Sequence, residues 1–387
     1  MAHTLSARRL YTPFEVVVHP RVVIDAGVIA EITSGEFTPT QGRAIDLGDA
    51  IIAPGFVDIH IHGGNGRDVM EDDPAALAAV ETLLARHGVT SYFPTTVTAP
   101  LDPTLRALER LGKAIESATT EGSAGRNPRA RPLGIHLEGP FISHARRGVH
   151  PPADLLPPRL DTFEKFWEAS RGQIKVMTIA PELEGAPELI AAATRRGVCV
   201  SLGHSDATLD AAQRGIAAGA RHATHTFNAM RPLGHRDPGI LGAALADDRL
   251  TADVIADGIH LDPLVLKLFL RAKGPESAVL ITDAIAATGM PDGRYRLGSL
   301  DVDVHGSTCT SEGKLAGSVL TMDQAVRNVV RLAKWDLQNA VQLASANPAR
   351  VVGQTLRGRL AVGMSADIVV LNDEGIVQKT IVGGIID

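Results

Sequence analysis

A chain of 387 residues is long enough for a parallel barrel of roughly 250 residues plus a smaller companion. A composition with 44% hydrophobic and 21% charged residues fits a globular protein, and only 4% aromatics means an aliphatic core. The net charge of −6 supplies no general positive field, which argues against nucleic acid as a partner and leaves an anionic ligand dependent on a local cluster.

The N-terminal stretch MAHTLSARRLYTP has no apolar segment of signal-peptide length, and no uninterrupted apolar run approaches the roughly 20 residues of a membrane span. Cys199 and Cys309 form neither a CxxC pair nor a disulfide framework. A reducing, cytoplasmic compartment is the expectation.

Along the chain, Phe14–Val18, Val22–Ile24 and Val28–Ile32 read as strands separated by turn residues. Asp367–Leu371 and Ile376–Val382 read the same way, so both termini are expected to build one small β-sandwich. The middle alternates apolar runs with amphipathic stretches. The runs are Ile51–His62, Ser91–Thr98, Pro132–Gly139, Ile174–Pro181, Val198–His204, Ala223–Met230, Ala252–His260 and Val279–Asp283. Helices are predicted at Pro74–His87, Pro103–Ser117, Pro187–Arg196, Thr208–Ala218 and Pro263–Lys273, several opening near Asp or Pro and closing before Gly. Eight such units favour a closed (β/α)₈ TIM-type barrel over an open sheet, and no G-x-G-x-x-G follows the first strand. The predicted division is 1–54 and 356–387 for the β-sandwich and 55–355 for the barrel. Residues 119–130 read as a polar loop. Residues 144–160 read as a loop rich in His, Arg and Pro directly after a strand end, where barrels place their chemistry.

Polar residues fall at the ends of these runs. His60 and His62 close the first, and period-two alternation puts both rings on one side. Taken alone, that pair is as well explained by two polar residues at a strand end. Glu138 closes the third run, His204 the fifth, and Asp283 the eighth, while His225 lies in the sixth. Buried carboxylates and imidazoles need partners. Six of them delivered to one rim are best satisfied by a divalent metal, zinc or iron from the ligand types. Asp283 is the candidate general base and acid, or else a further metal ligand without proton-transfer duty.

The order HIHGG, HLEGPF, SLGHS, THTFNAM, RDPG, DGIH, ITDA and LAGS resembles the N-acetylglucosamine-6-phosphate deacetylases of the amidohydrolase superfamily, over nearly the whole chain. HLEGPF followed by H-x-x-NAM is the specific part; dihydroorotases and hydantoinases use a carboxylated lysine where Glu138 stands. The resemblance implies hydrolysis of the acetamide of a sugar phosphate, with Glu138, His204 and His225 binding the main metal and Asp283 as catalytic acid/base. It matches His60 and His62 to a second, variable metal site with Glu138 bridging. It also implies substrate contacts from Val149, His150, Asn228, Ala229, Asp257, His260, Leu315, Ala316 and Gly317. Arg236 matches an arginine that reaches the phosphate in a neighbouring subunit, which implies a homodimer. Without the resemblance, Arg236 and His150 read as ordinary loop residues.

Arg146 and Arg147 stand where relatives commonly carry lysines. His144 has no assigned role. His136 is either a core histidine or a partner orienting a ligand, and His222 is a neighbour of the site. Other acetylated amino sugars, N-acetylgalactosamine 6-phosphate among them, and a catalytically inert sugar-phosphate-binding barrel remain open alternatives.

Overall fold

The computed structural model describes residues 2–12, 15–35, 42–120 and 128–386. Phe14 of the first expected strand and residues 121–127 of the expected polar loop lie outside them.

The barrel alternates β1 (Phe56–Ile61), α1 (Pro74–Arg86), β2 (Val89–Thr96), α2 (Leu101–Thr120), β3 (Ile135–Glu138), α3 (Leu160–Ala169), β4 (Ile174–Ile179) and α4 (Ala186–Arg195). It continues with β5 (Cys199–Leu202), α5 (Leu209–Ala218), β6 (His222–Ala223), α6 (Gly239–Ala246), β7 (Thr251–Ile255), α7 (Pro263–Ser277), β8 (Ala278–Ile281) and α8 (Met322–Asn328). All eight strands pair in parallel in chain order from β1 to β8. The ring closes through the parallel bridge Ile61–Ala284, and the Asp283 N–H donates to the His60 carbonyl at 2.9 Å. Asp58, fully buried, fastens this seam by accepting the Thr282 hydroxyl at 2.6 Å.

The helix boundaries follow the expected chemistry. Asp73 caps α1 by accepting the Ala75 N–H, and Gly88 beyond its end has φ +82°. Thr208 caps α5 and Asp262 caps α7. The regular part of α7 stops at Gly274, the residue before Pro275, as the prediction of an end at Lys273 requires. Helices α3, α6 and α8 were not foreseen. The segment GILGAALA of α6 is apolar all round, because Ile240, Leu241, Ala243 and Ala244 are all buried, so it carries no amphipathic signal.

Two expected strands need correction. The run Ile51–His62 is two strands broken at Gly55: Ile51–Pro54 joins the terminal sheets and Phe56–Ile61 the barrel. The run Ala223–Met230 contributes only His222–Ala223 as strand, since the residues after it turn sharply, with φ of +28° at His225 and +81° at Phe227.

Both termini build two mixed sheets. One has the order Val28–Ser34, Pro20–Asp25, His3–Ser6, Arg43–Asp46. The other has the order Val377–Ile381, Ile368–Leu371, Ile51–Pro54, Arg9–Tyr11, Val16–Val18. Leu5, Val22, Ile24 and Ile29 of the first meet Leu10, Ile52, Ile368 and Val370 of the second in one core. The alternate residues Tyr11, Ile51, Ala53, Val369 and Leu371 face the barrel's core instead. A meander of Gly293–Leu297, Leu300–His305, Thr308–Ser311 and Lys314–Leu315, also unforeseen, lies between β8 and α8. Among the described residues, no helix is long and apolar enough to cross a membrane.

Candidate metal and active site

Every strand that was expected to deliver a polar group does so at its C-terminal end. Glu138 is the last residue of β3, and His204, His225 and Asp283 each stand two residues beyond β5, β6 and β8. The last three have left-handed backbones, with φ of +46°, +28° and +50°. Such conformations cost about 1–3 kcal/mol each in non-glycine residues and persist where the surroundings over-determine them. Here the clamps are visible: Asp253 accepts the His225 N–H, and the Asp283 carbonyl accepts the Ser318 N–H at 2.8 Å.

Glu138 is the hub. Its Oε1 lies 3.1 Å from His204 Nε2 and 3.0 Å from His225 Nε2, and those two nitrogens are 3.0 Å apart. Its Oε2 lies 3.3 Å from His62 Nε2, which in turn is 3.2 Å from His60 Nε2 and 3.2 Å from Asp283 Oδ1. Two overlapping ligand groups result, Glu138–His204–His225 and His60–His62–Glu138, sharing one carboxylate.

The protonation pattern fits a cation. His62 Nδ1 faces the Thr95 carbonyl at 3.0 Å, and His204 Nδ1 faces the Arg146 carbonyl at 3.0 Å. A carbonyl only accepts, so each Nδ1 carries a proton, which leaves Nε2 as the nitrogen that would ligate a cation once its own proton is displaced. Tetrahedral zinc with bonds of about 2.0–2.1 Å sets ligands about 3.3 Å apart, close to the triangle found here. Nδ1 of His60 and of His225 are buried and, among the described residues, make no hydrogen bond, so a cation at Nε2 would supply what otherwise fixes those rings.

Electrostatics point the same way. Burial alone would raise the Glu138 carboxyl, but His60, His204 and His225 hold it well below the usual range. Burial would likewise raise Asp283, yet His60 and His62 bring it to about 2. Burial opposes charge on His225, but Glu138 outweighs it and raises the ring to about 9. Two ionised carboxylates thus draw protons onto neighbouring rings, and a divalent ion would replace those protons. His150 differs. Burial and then the nearby His204 push it down to about 3, so it stays neutral. Its Nδ1 accepts the Thr98 N–H at 3.3 Å, which leaves Nε2–H as a donor 3.7 Å from Glu138 Oε2.

Above the cluster opens a cleft of about 180 Å³. Its wall gathers His62, Glu138, His204, His225 and Asp283 with the expected Val149, His150, Asn228, Ala229, His260, Leu315, Ala316 and Gly317. Three anticipated residues stand elsewhere. His60 is fully buried beneath His62. Asp257 lies behind His260, accepting its Nδ1–H at 2.6 Å and two backbone N–H groups, so it orients that ring instead of forming the wall. Arg236 is exposed on the loop before α6 and is not part of this chain's own cleft. Val97, Gly148 and Leu297 complete the wall unforeseen. Val97 follows β2, so the strand-end rule could have found it. Leu297 belongs to the meander, whose alternating Val302 and Val304 between acids was the missed signal.

The other polar residues noted in the sequence lie outside the cleft wall. His136 bonds the Ile59 carbonyl at 2.9 Å and Thr178 Oγ1 at 2.8 Å, a satisfied interior histidine whose ring edges His60. His222 bonds Asp253 at 2.9 Å. His144 opens a short turn, Arg146 pairs with Asp206 at 2.7 Å, and Arg147 holds the His150 carbonyl at 2.9 Å.

The model of the amidohydrolase family matches residues 51–386. A curated Bos taurus protein named N-acetylglucosamine-6-phosphate deacetylase is 41% identical, covering 88% of this chain and 84% of its own length. An Escherichia coli O157:H7 protein named N-acetylgalactosamine-6-phosphate deacetylase is 38% identical, with 99% of each chain covered. A solved structure of an N-acetyl-D-glucosamine-6-phosphate deacetylase variant from Mycobacterium smegmatis, in complex with N-acetyl-D-glucosamine-6-phosphate, superposes with a TM-score of 0.91 at 35% identity, covering 99% of this chain and 98% of that one.

Proposed function

The chain belongs to the amidohydrolase family, and from that premise we propose that it hydrolyses the acetamide of N-acetyl-D-glucosamine 6-phosphate to glucosamine 6-phosphate and acetate. The observation that carries this reading is the Glu138–His204–His225 triangle with Asp283 beside it on the floor of one cleft. Relatives of that name cover most of the chain and support the substrate.

Glu138, His204 and His225 would hold the main divalent ion, with zinc favoured by two imidazoles and a carboxylate. His60 and His62 would hold a second through the other Glu138 oxygen. A bound ion supplies Lewis acidity toward the amide carbonyl and lowers the pKa of water to about 7. Asp283, ionised at neutral pH, accepts the proton of the attacking water and delivers it to the departing amine nitrogen. The neutral His150 donates from Nε2–H, and His260, held by Asp257, contacts the sugar. Val149, Asn228, Ala229 and Leu315–Gly317 shape the rest of the sugar site.

Arg236, exposed and without an ion pair among the described residues, would reach the phosphate bound in a second copy, in a homodimer. Two free cysteines are compatible with a cytoplasmic setting. We place the catalytic body at 55–355 and the companion at 1–54 with 356–387.

Acetate release from N-acetylglucosamine 6-phosphate tests the reading, with metal content measured on the same sample. The Escherichia coli relative makes the galacto epimer the second substrate to assay. Turnover at least about tenfold faster on the gluco epimer, and dependent on the phosphate, is the expected result. Faster turnover of the galacto epimer would reassign the substrate. Sugar binding with no turnover of any acetylated sugar in the metal-loaded protein would leave a binding barrel.

A further inference from the structure

We propose that Asp68 is a positioning residue for substrate recognition, latching the tip of the 293–315 meander so that its residues form a fixed wall of the cleft. The inference deepens the proposed function and rests on it for the identity of the substrate. Asp68 does not line the cleft.

The meander contributes Leu297 and Leu315 to the wall, and Ala316 and Gly317 follow directly. Its base is tied where the chain re-enters the barrel: Ser318 N–H donates to the Asp283 carbonyl at 2.8 Å, and a Cβ on Gly317 (φ +60°) would lie 2.3 Å from Ile285 Cγ2. The tip, the turn at Gly298, is far along the chain from that anchor. Asp68 holds it. One carboxylate oxygen accepts the Gly298 N–H at 2.7 Å and the other accepts the Met70 N–H at 2.7 Å.

Asp68 is itself rigidly mounted. It is 4% exposed and sits in a hairpin, Gly63–Gly64 against Arg67–Asp68. That hairpin bonds the rim after β8 through Gly63 N–H to the Ala284 carbonyl, Gly66 N–H to the Ala286 carbonyl and Asn65 N–H to the Thr288 carbonyl, at 2.8–3.0 Å. On its other side the turn rests on Val97, a second wall residue. Gly298 has φ +54°, and a Cβ there would fall 2.4 Å from Val97 Cγ1. Gly298 is therefore held between a buried carboxylate and Val97, which fixes the backbone directly after Leu297. A buried acceptor that satisfies two N–H groups at once is a strong constraint on their spacing.

Two variants test this. Asp68→Asn keeps the shape but presents an N–H₂ to one of the two donors. Gly298→Ala pushes the turn off Val97. Asp303→Asn, in an exposed ion pair within the meander, is the control. In both test variants KM for the phosphorylated substrate should rise at least about tenfold, with kcat within about threefold and metal content unchanged. Hydrogen exchange at the Gly298 amide should accelerate at least about tenfold in Asp68→Asn. Unchanged KM in both variants, a fall in kcat at unchanged KM, or unchanged exchange would overturn the latch. A wild-type enzyme inactive on that substrate would instead refute the proposed function, and the exchange measurement would still decide the latch.

Discussion

Asp283 combines three properties that general acid–base work needs: it is buried, it is ionised, and it is 3.2 Å from a prospective ligand nitrogen, His62 Nε2. Asp283→Asn should retain metal, because it leaves Glu138, His204 and His225 untouched, and should lower kcat by about 10²–10⁴-fold, the usual share of a proton-transfer group. Acetate release alongside elemental analysis reads this, and an unchanged rate would remove Asp283 from the mechanism. Glu138 is the opposite case. Its two oxygens serve both ligand groups, so Glu138→Gln should lose metal at both, seen as substoichiometric metal and no turnover.

At the scale of elements, the helices around the barrel are tied to one another by buried charge. Asp323 in α8 bonds His87, the residue closing α1, at 3.0 Å and Arg327 at 2.7 Å. Burial would raise its carboxyl, but His87 and Arg327 hold it at about 2. A depressed folded-state value stabilises the fold above the unfolded carboxyl range near pH 4, and that contribution is lost as pH falls toward about 2. Asp323→Asn should therefore cost about 2 kcal/mol at pH 7, with the gap to wild type closing below about pH 4. Urea unfolding across that range measures it, and a pH-independent gap would mean the charge is not the cause. The same pair of elements illustrates what local sequence encodes well. Asp73, Pro74 and Gly88 marked α1 to within a residue, because caps and φ preferences act over a single turn. Helix α6 escaped because its sequence is apolar all round, and the break at Gly55 escaped because apolar residues flank it, Ile51–Pro54 before it and Phe56 and Val57 after it.

At the scale of the whole molecule, Arg236 carries the most consequential prediction, since it is exposed and outside its own chain's cleft. Arg236→Ala should lower kcat/KM on the phosphorylated sugar by about 10–100-fold, as expected for charge-assisted bonds to phosphate, and leave the unphosphorylated sugar unaffected. Mixing it with Asp283→Asn under exchange should restore about a quarter of wild-type activity, because half the dimers are then hybrids with one intact site each. No recovery in a demonstrated hybrid would exclude a shared site. What the linear chain determined is the chemistry and the architecture. The parallel barrel follows from repeated apolar runs and helix punctuation, and the metal-ligand types stand at run ends as HIH, LEG, GHS and TDA and within the sixth run as THT. These features are local, set by alternation and by capping. Tertiary structure decided what depends on residues distant in sequence. It brought Glu138 within 3.0 Å of His225 and carried Leu297 from an inserted meander to the cleft wall. Such distances come from the closing of the ring and the docking of the meander, which no periodicity along the chain records.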